Sequence, residues 1–316
     1  MRVSFHPDYH IGLPSPHPFP MGKYALLYAH LLRAGLVDPA CVEEPIEAPL
    51  AMLSRVHASD YLDRCARGEL SAKEIRVLGL PWSARLWRRS RLAVYGTYLA
   101  ACNALKDSIS ANLAGGTHHA FADHGEGFCV LNDVAVTIRE LQSRQAITRA
   151  LIVDLDVHQG NGTAAIFAED NSVFTLSIHG ARNYPAVKAR SSLDVNLPDG
   201  TADVPYLAAL EDALTQAIQQ AAADIVFYIA GVDVVVGDRY GRLGLTVDGL
   251  RQRDAYVIKA IRSAGLPLVI VLGGGYSPST LQTAQLHAIV FEEAVASIIK
   301  HPEHFASHRS FYRGVF

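Results

Sequence analysis

Five short apolar runs punctuate the chain, each ending on glycine or on polar residues: "ISANLAGG" (109–116), "RALIVDLD" (149–156), "VFTLSIHG" (173–180), "DIVFYIAGVD" (224–233) and "PLVIVLGGGY" (267–276). Their near-continuous hydrophobicity predicts strands buried on both faces, as in a parallel sheet. Between them, 133–144, 204–223 and 247–265 carry apolar residues at helical spacing, the last closing on Gly265 as a helix C-terminus does. Strands alternating with helices predict an α/β fold around a mainly parallel sheet. No repeat of solenoid length, low-complexity block or Pro/Gly/Ser-rich linker divides the chain, so a single domain over 1–316 is the expectation. The Pro- and His-rich stretch 7–20 reads as a wrapped surface loop. The basic "RLWRRSR" (85–91) reads as a solvated helix face whose aliphatic stems cover apolar surface.

The polar ends of these runs carry the chemistry. In open α/β sheets, ligands bind beyond the carboxyl ends of the strands. Four strand ends here contribute His118, His119, Asp156, His158, Asp233 and Tyr276, and the fold reading predicts that they converge. Asp154, Asp156 and His158 stand two residues apart, so in an extended chain they share one face. Two carboxylates and an imidazole at the end of a buried run are costly unless a cation compensates them. Asp156, His158 and Asp233 make a set of two oxygens and one nitrogen. Three protein ligands leave one position open, as in a catalytic zinc site. The oxygen-rich set also suits Fe²⁺ or Mn²⁺. A strand-end Asp that merely caps the next turn is the competing reading.

The adjacent His118 and His119 offer a proton acceptor and a charge-holding partner beside such an ion, with the two roles unassigned. "LGGGYSP" contains neither GxGxxG nor a P-loop pattern. Its glycines either form an anion nest or let the Tyr276 hydroxyl reach a developing oxyanion, unless Tyr276 is a buried tyrosine with one hydrogen bond.

Bulk properties narrow the class. A formal net charge of −3 and a pI near 6.5 give no electrostatic case for nucleic-acid or membrane-surface binding. Cys41, Cys65, Cys102 and Cys129 are widely spaced without a CxxC, which argues against a disulfide framework or zinc knuckle and fits a reducing compartment. "MRVSFHPDYHIG" lacks the apolar core of a signal peptide, and no apolar run approaches the ~18 residues of a membrane span. A soluble cytoplasmic protein is expected.

"GGTHHA", "GEGFCVLNDVA", "DLDVHQGNGT", "AGVD…GD" and "LGGGY", in this order and approximate spacing, resemble the histone deacetylase family. The resemblance runs from "HPFPMGKY" (17–24) and "VHASDYL" (56–62) to about residue 290, and "DLDVHQGNGT" and "GDRYGRLGLT" (237–246) look most like the class IV branch and its bacterial relatives. It implies the arginase/deacetylase fold, an eight-stranded parallel sheet flanked by helices. It also implies hydrolysis of an N-acyl amide, typically acyl-lysine, with zinc or iron(II). By motif, Asp156, His158 and Asp233 would bind the metal and His119 would be general base and acid. His118 would be its electrostatic partner, held by Asp154, and Tyr276 the oxyanion donor. Asp154, Ser177 and the carbonyls of Asp156, His158 and Ile178 resemble the family's structural potassium site. Gly127, Phe128, Tyr184, Gly274 and Gly275 match the acyl-lysine tunnel, with Asn161 and Asp238 standing behind the reacting groups.

Two departures bear on substrate. Asn161 stands where many members have an Asp behind the second histidine, and Ser59 where several have a rim Asp that grips the substrate backbone. Acylated polyamines or other small amides therefore stand beside acyl-lysine as candidate substrates. An arginase-like two-manganese reaction needs a further carboxylate soon after Asp233, where Val234, Val235 and Val236 follow instead. A non-catalytic acyl-binding member would lack a ligand or Tyr276, and all are present.

Overall fold

All five apolar runs become strands, each no longer than the run that predicts it. The structure, a computed structural model, describes residues 1–300; residues 301–316 of the expected 1–316 domain lie outside the described residues. The strands are β1 (Arg2–Ser4), β2 (Val42–Glu43), β3 (Ile109–Asn112), β4 (Ala150–Asp154), β5 (Val173–Gly180), β6 (Leu193–Leu197), β7 (Ile225–Ile229) and β8 (Leu268–Val271). They form one eight-stranded sheet in the order β2-β1-β3-β8-β7-β4-β5-β6, and every pairing is parallel.

The central strands are dry. Leu151, Ile152, Val153, Val226, Phe227, Tyr228, Val269 and Ile270 are all fully buried, as near-continuous apolar runs require when helices cover both faces. The described helices are α1 (Lys23–Arg33), α2 (Leu50–Leu53), α3 (Ser59–Arg67), α4 (Ala72–Leu78), α5 (Ala84–Asp107), α6 (Asp133–Ser143), α7 (Asn161–Ile166), α8 (Asp203–Ala221), α9 (Val247–Ser263) and α10 (Thr280–Lys300). α5 packs on β1, β3 and β8, α8 on β4 to β6, and α9 joins α8 to α10. Side chains start several helices: Asn132 accepts from Ala135 N at α6, and Thr246 from Gly249 N at α9. No described helix is long and apolar enough to cross a membrane.

Three strands escape the apolar pattern for physical reasons. β1 and β2 have only three and two residues, too few to show a period. β6, "LDVNL", lies on the sheet edge, where one side needs no apolar cover. Two expectations need correction. The 7–20 stretch is more than surface, because Tyr9 and Ile11 are buried and Tyr9 donates its hydroxyl to Asn112 Oδ1 at 2.9 Å. The basic run lies in α5 but is not a solvated face: Arg89 is buried, donating to Tyr9 O at 3.0 Å and lying over the Tyr24 ring. Arg88 and Arg91 pair with Glu47.

A parallel sheet delivers all its carboxyl ends to one edge. In register, Asp154 at the end of β4 lies opposite Ser177 on one side and Ile229 on the other. The loops that follow β3, β4, β7 and β8 therefore emerge as neighbours.

Candidate active site

At that edge Asp156, His158 and Asp233 come together, each buried, with one potential ligand atom from each within 4.8 Å of the others. His158 Nδ1 lies 3.0 Å from Asp156 Oδ1 and 3.2 Å from Asp233 Oδ2. Backbone N–H groups hold the far oxygens: Gly274 N donates to Asp156 Oδ2 (2.6 Å) and Val157 N to Asp233 Oδ1 (2.9 Å). Apart from that contact with His158, Asp233 Oδ2 is buried with no hydrogen-bond partner among the described residues. Burial, and then the neighbouring Asp156, push the Asp233 carboxyl up to about 7. An orphaned oxygen and a raised carboxyl are what two crowded carboxylates show in a dry place, and a divalent cation relieves both. The donor set fits such an ion, with side chains of the O, N, O kind and a position left for water or substrate. Gly274 makes room for it, since a Cβ there would overlap Asp233 Oδ2 and come within 2.7 Å of Asp156 Oδ2.

The histidine pair sits beside this group. Gly116, with φ +73°, precedes it in a conformation that favours glycine, and a Cβ there would stand 2.5 Å from Gly273 N. Asp133 pins the same turn, accepting from Gly116 N (3.1 Å) and Thr117 N (2.8 Å). His118 Nδ1 faces Asp154 Oδ2 at 2.7 Å, and its Nε2 lies 3.9 Å from Asp156 Oδ1. Burial, the largest influence, opposes charge on His118, but Asp154 and Asp156 outweigh it and hold the ring up to about 9. His119 is the opposite case. Burial, then the charges of His118 and His158, keep it well below the usual histidine range. Its Nδ1 contacts Asn161 Oδ1 at 2.6 Å, and Asn161 Nδ2 donates to Glu126 Oε1 at 2.7 Å.

Above them opens a cavity of about 320 Å³ lined by His119, Gly127, Phe128, His158, Tyr184, Tyr240 and Tyr276, with Arg76 to Gly79 at one side. Phe128 has φ 68°, and its N–H donates to Leu78 O at 2.7 Å, so a strained backbone holds its ring in place. The Tyr276 ring is edge-on to Tyr240 at 5.0 Å and Phe19 at 6.2 Å, with Phe128 tilted against it at 6.0 Å. Its backbone N–H donates to Asp238 Oδ2 at 2.6 Å. Tyr184 closes the other wall, 5.2 Å from the His119 ring, and donates its hydroxyl to Glu126 Oε1.

The structure thus brings together His118, His119, Asp154, Asp156, His158, Asp233, Tyr276, Asn161 and Asp238, and it puts Gly127, Phe128 and Tyr184 on the cavity wall. Gly274 lines a small inner hollow of about 30 Å³ beneath. Gly275 does not line the tunnel. At φ +151°, a Cβ on this glycine would run into Val232, Thr283 and His287. Ser177 is buried in register with Asp154, but its hydroxyl meets His179 Nδ1 at 2.9 Å; Ile178 beside it is buried. Ser59 does not line the cavity, whereas the unanticipated Arg76 and Tyr240 do. Sequence reasoning also missed Lys23, whose Nζ donates to Gly273 O at 2.9 Å and meets His287 Nε2 at 3.2 Å. Burial pulls it down to about 8. Arg253, fully buried on α9, was missed too: its Nη1 donates to Leu155 O (3.2 Å) and Gly231 O (2.6 Å).

Comparison with known proteins agrees with this architecture. A family model described as "Histone deacetylase domain" matches residues 17–291. An uncharacterized protein of Picosynechococcus sp. is 45% identical over 292 residues, covering 92% of this chain and 97% of its own. Histone deacetylase 2 of Arabidopsis thaliana is 32% identical over 279 residues, 85% of this chain and 72% of that protein. Acetoin utilization protein AcuC of Staphylococcus aureus is 28% identical over 281 residues, 82% and 72% of the two chains. The crystal structure of an HDA15 HD domain superposes with a TM-score of 0.78 over 98% of this chain and 94% of that one, at 23% identity.

Proposed function

The chain belongs to the histone deacetylase family, and on that premise we propose that it is a metal-dependent amidohydrolase that removes acyl groups from lysine side chains or related primary amines. One observation carries the reading. Two buried histidines, one pushed toward its charged form and the other toward its neutral form, converge with Tyr276 on an Asp–His–Asp group at the base of a largely apolar cavity. The relative named histone deacetylase 2 supports the reaction class.

A zinc or iron(II) ion held by Asp156, His158 and Asp233 supplies Lewis acidity toward the amide carbonyl and toward water when bound. The protein does the rest. His119, kept neutral by burial and by its charged neighbours, takes a proton from the attacking water and returns it to the departing amine nitrogen. His118, kept charged by Asp154 and Asp156 against the cost of burial, supports the negative charge that develops on the carbonyl oxygen. Tyr276 donates its hydroxyl to that oxygen; burial raises its pKa well above the usual tyrosine value, so the proton stays on the donor. Phe128 and Tyr184 flank an extended alkyl stem, whose methylenes gain from leaving water. We assign a structural potassium ion to Asp154, Ser177 and the carbonyls of Asp156, His158 and Ile178. We place the chain nearest class IV on "DLDVHQGNGT" and "GDRYGRLGLT", and in the cytoplasm on its widely spaced cysteines.

The test is a panel of acyl-lysine peptides and acylated polyamines, from acetyl to myristoyl, assayed with zinc and with iron(II). At least one amide is hydrolysed, and Tyr276→Phe lowers kcat by about 10²- to 10³-fold with the metal retained. A metal-loaded protein that cleaves nothing in the panel, or a Tyr276→Phe variant with undiminished turnover, refutes the proposal.

A further inference from the structure

We propose that Glu126 is a positioning residue for this reaction: acting through Asn161, it sets which nitrogen of His119 carries the hydrogen. The inference rests on the amidohydrolase reading and deepens it.

Glu126 belongs to a tight turn in which its own N–H donates to Cys129 O (3.0 Å) and Cys129 N donates back to Glu126 O (2.8 Å). The side chain therefore leaves a fixed backbone. Its Oε1 accepts from Asn161 Nδ2 at 2.7 Å and from the Tyr184 hydroxyl. A carboxylate only accepts, so Asn161 must present its NH₂ to Glu126 and its oxygen to His119. The Asn161 oxygen in turn only accepts, and it lies 2.6 Å from His119 Nδ1. The hydrogen of a neutral His119 must then sit on Nδ1, which leaves Nε2 with the lone pair that a proton acceptor needs.

An Asn without Glu126 has no such preference. Turned by 180°, the amide would offer NH₂ to Nδ1 and force the hydrogen onto Nε2, a tautomer that cannot take a proton from water. A carboxylate at position 161 would need no help, because either oxygen accepts. Here the carboxylate stands one residue further out and works by selecting the amide orientation. The same Oε1 holds Tyr184, so the cavity wall and the base share one anchor.

Tautomers are read directly from long-range ¹H–¹⁵N spectra of ¹⁵N-histidine-labelled full-length protein, with and without zinc, the His119 signals being assigned from a His119→Ala sample. Wild type shows His119 protonated on Nδ1. Glu126→Gln, which keeps the size, and Glu126→Ala both show a mixture or the Nε2–H form. On the best panel substrate their kcat falls by about 10- to 100-fold, and in Glu126→Ala KM rises as well, because Tyr184 loses the same acceptor. In an Asn161→Asp background, Glu126→Gln leaves the hydrogen on Nδ1, because either carboxylate oxygen accepts it. Nδ1–H persisting fully in both Glu126 variants, or Nε2–H in wild type, overturns the inference. Because the spectra need no turnover, a protein inert toward the whole panel would sink the catalytic reading while the tautomer result is decided on its own.

Discussion

Asp238 holds Tyr276 by its backbone, accepting the Tyr276 N–H on Oδ2 at 2.6 Å. The other oxygen, Oδ1, accepts from Tyr240 N at 2.9 Å and Gly241 N at 3.0 Å. A single carboxylate thus shapes the turn that presents Tyr240 to the cavity and fixes the strand end that presents Tyr276. Asp238→Ala removes three acceptor contacts at once. We expect kcat to fall by about 10- to 100-fold, with a rise in KM because Tyr240 moves as well. Steady-state kinetics check this; unchanged kcat would mean that the Tyr276 ring is held by its aromatic neighbours alone.

Gly274 tests the proposed metal group without replacing any of its three side chains. A methyl group there would overlap Asp233 Oδ2, so Gly274→Ala should abolish metal uptake while leaving the sheet intact. Elemental analysis should find one zinc or iron ion per wild-type chain and essentially none in the variant. Added zinc should raise the wild-type melting temperature and leave the variant unmoved, because only a folded state that binds the ion is stabilised by it. Metal retained in Gly274→Ala would place the ion elsewhere.

Arg253 ties together the loops that carry Asp156 and Asp233. Its Nη1 donates to Leu155 O and Gly231 O, next to Asp156 and two residues before Asp233, and its Nε donates to Asp254 Oδ1 at 2.9 Å. Arg253→Met leaves Asp254 as a buried charge without its partner, at a cost of about 3–5 kcal/mol. Urea denaturation of the metal-free variant measures the loss. A change under about 1 kcal/mol would show that water readily replaces the guanidinium.

Stability should fall in mild acid, and His57 accounts for part of it. Burial holds its pKa down at about 4 from an ordinary 6.5, and its Nε2 accepts from Asn132 N, the N-cap of α6, at 3.0 Å. Between these two values the unfolded chain binds a proton that the folded chain refuses. The contribution is therefore complete above pH 6.5 and is lost as pH falls toward 4. From pH 7 to 5 the loss is about 2 kcal/mol. Denaturation curves of wild type and His57→Gln at both pH values test this, the variant showing the shallower dependence. Equal slopes would count against His57.

Parts of the site were legible in the chain because they are local. Asp156 and His158 follow an apolar strand at alternating positions, and Asp233 and Tyr276 lie in the loops just beyond two others. In a parallel sheet, being at a strand's carboxyl end is enough to predict arrival at a common edge. The edge strands were not legible, since two or three residues carry no period and β6 needs apolar residues on one side only.

By itself, then, the sequence determined the five middle strands of the sheet, the helices between them and the arrival of Asp156, His158, Asp233 and Tyr276 at one rim. Periodicity and strand-end position are properties of neighbours along the chain. Only the tertiary structure decided which groups stand behind them. Glu126 meets Asn161 across 35 residues and Arg253 meets Leu155 across 98. The opposite pKa shifts of His118 and His119 also belong to the tertiary structure, because they depend on burial and on carboxylates brought close from other strands. Neither distance through space nor exclusion of water is written in local spacing; both arise when separate loops fold over the same edge of the sheet.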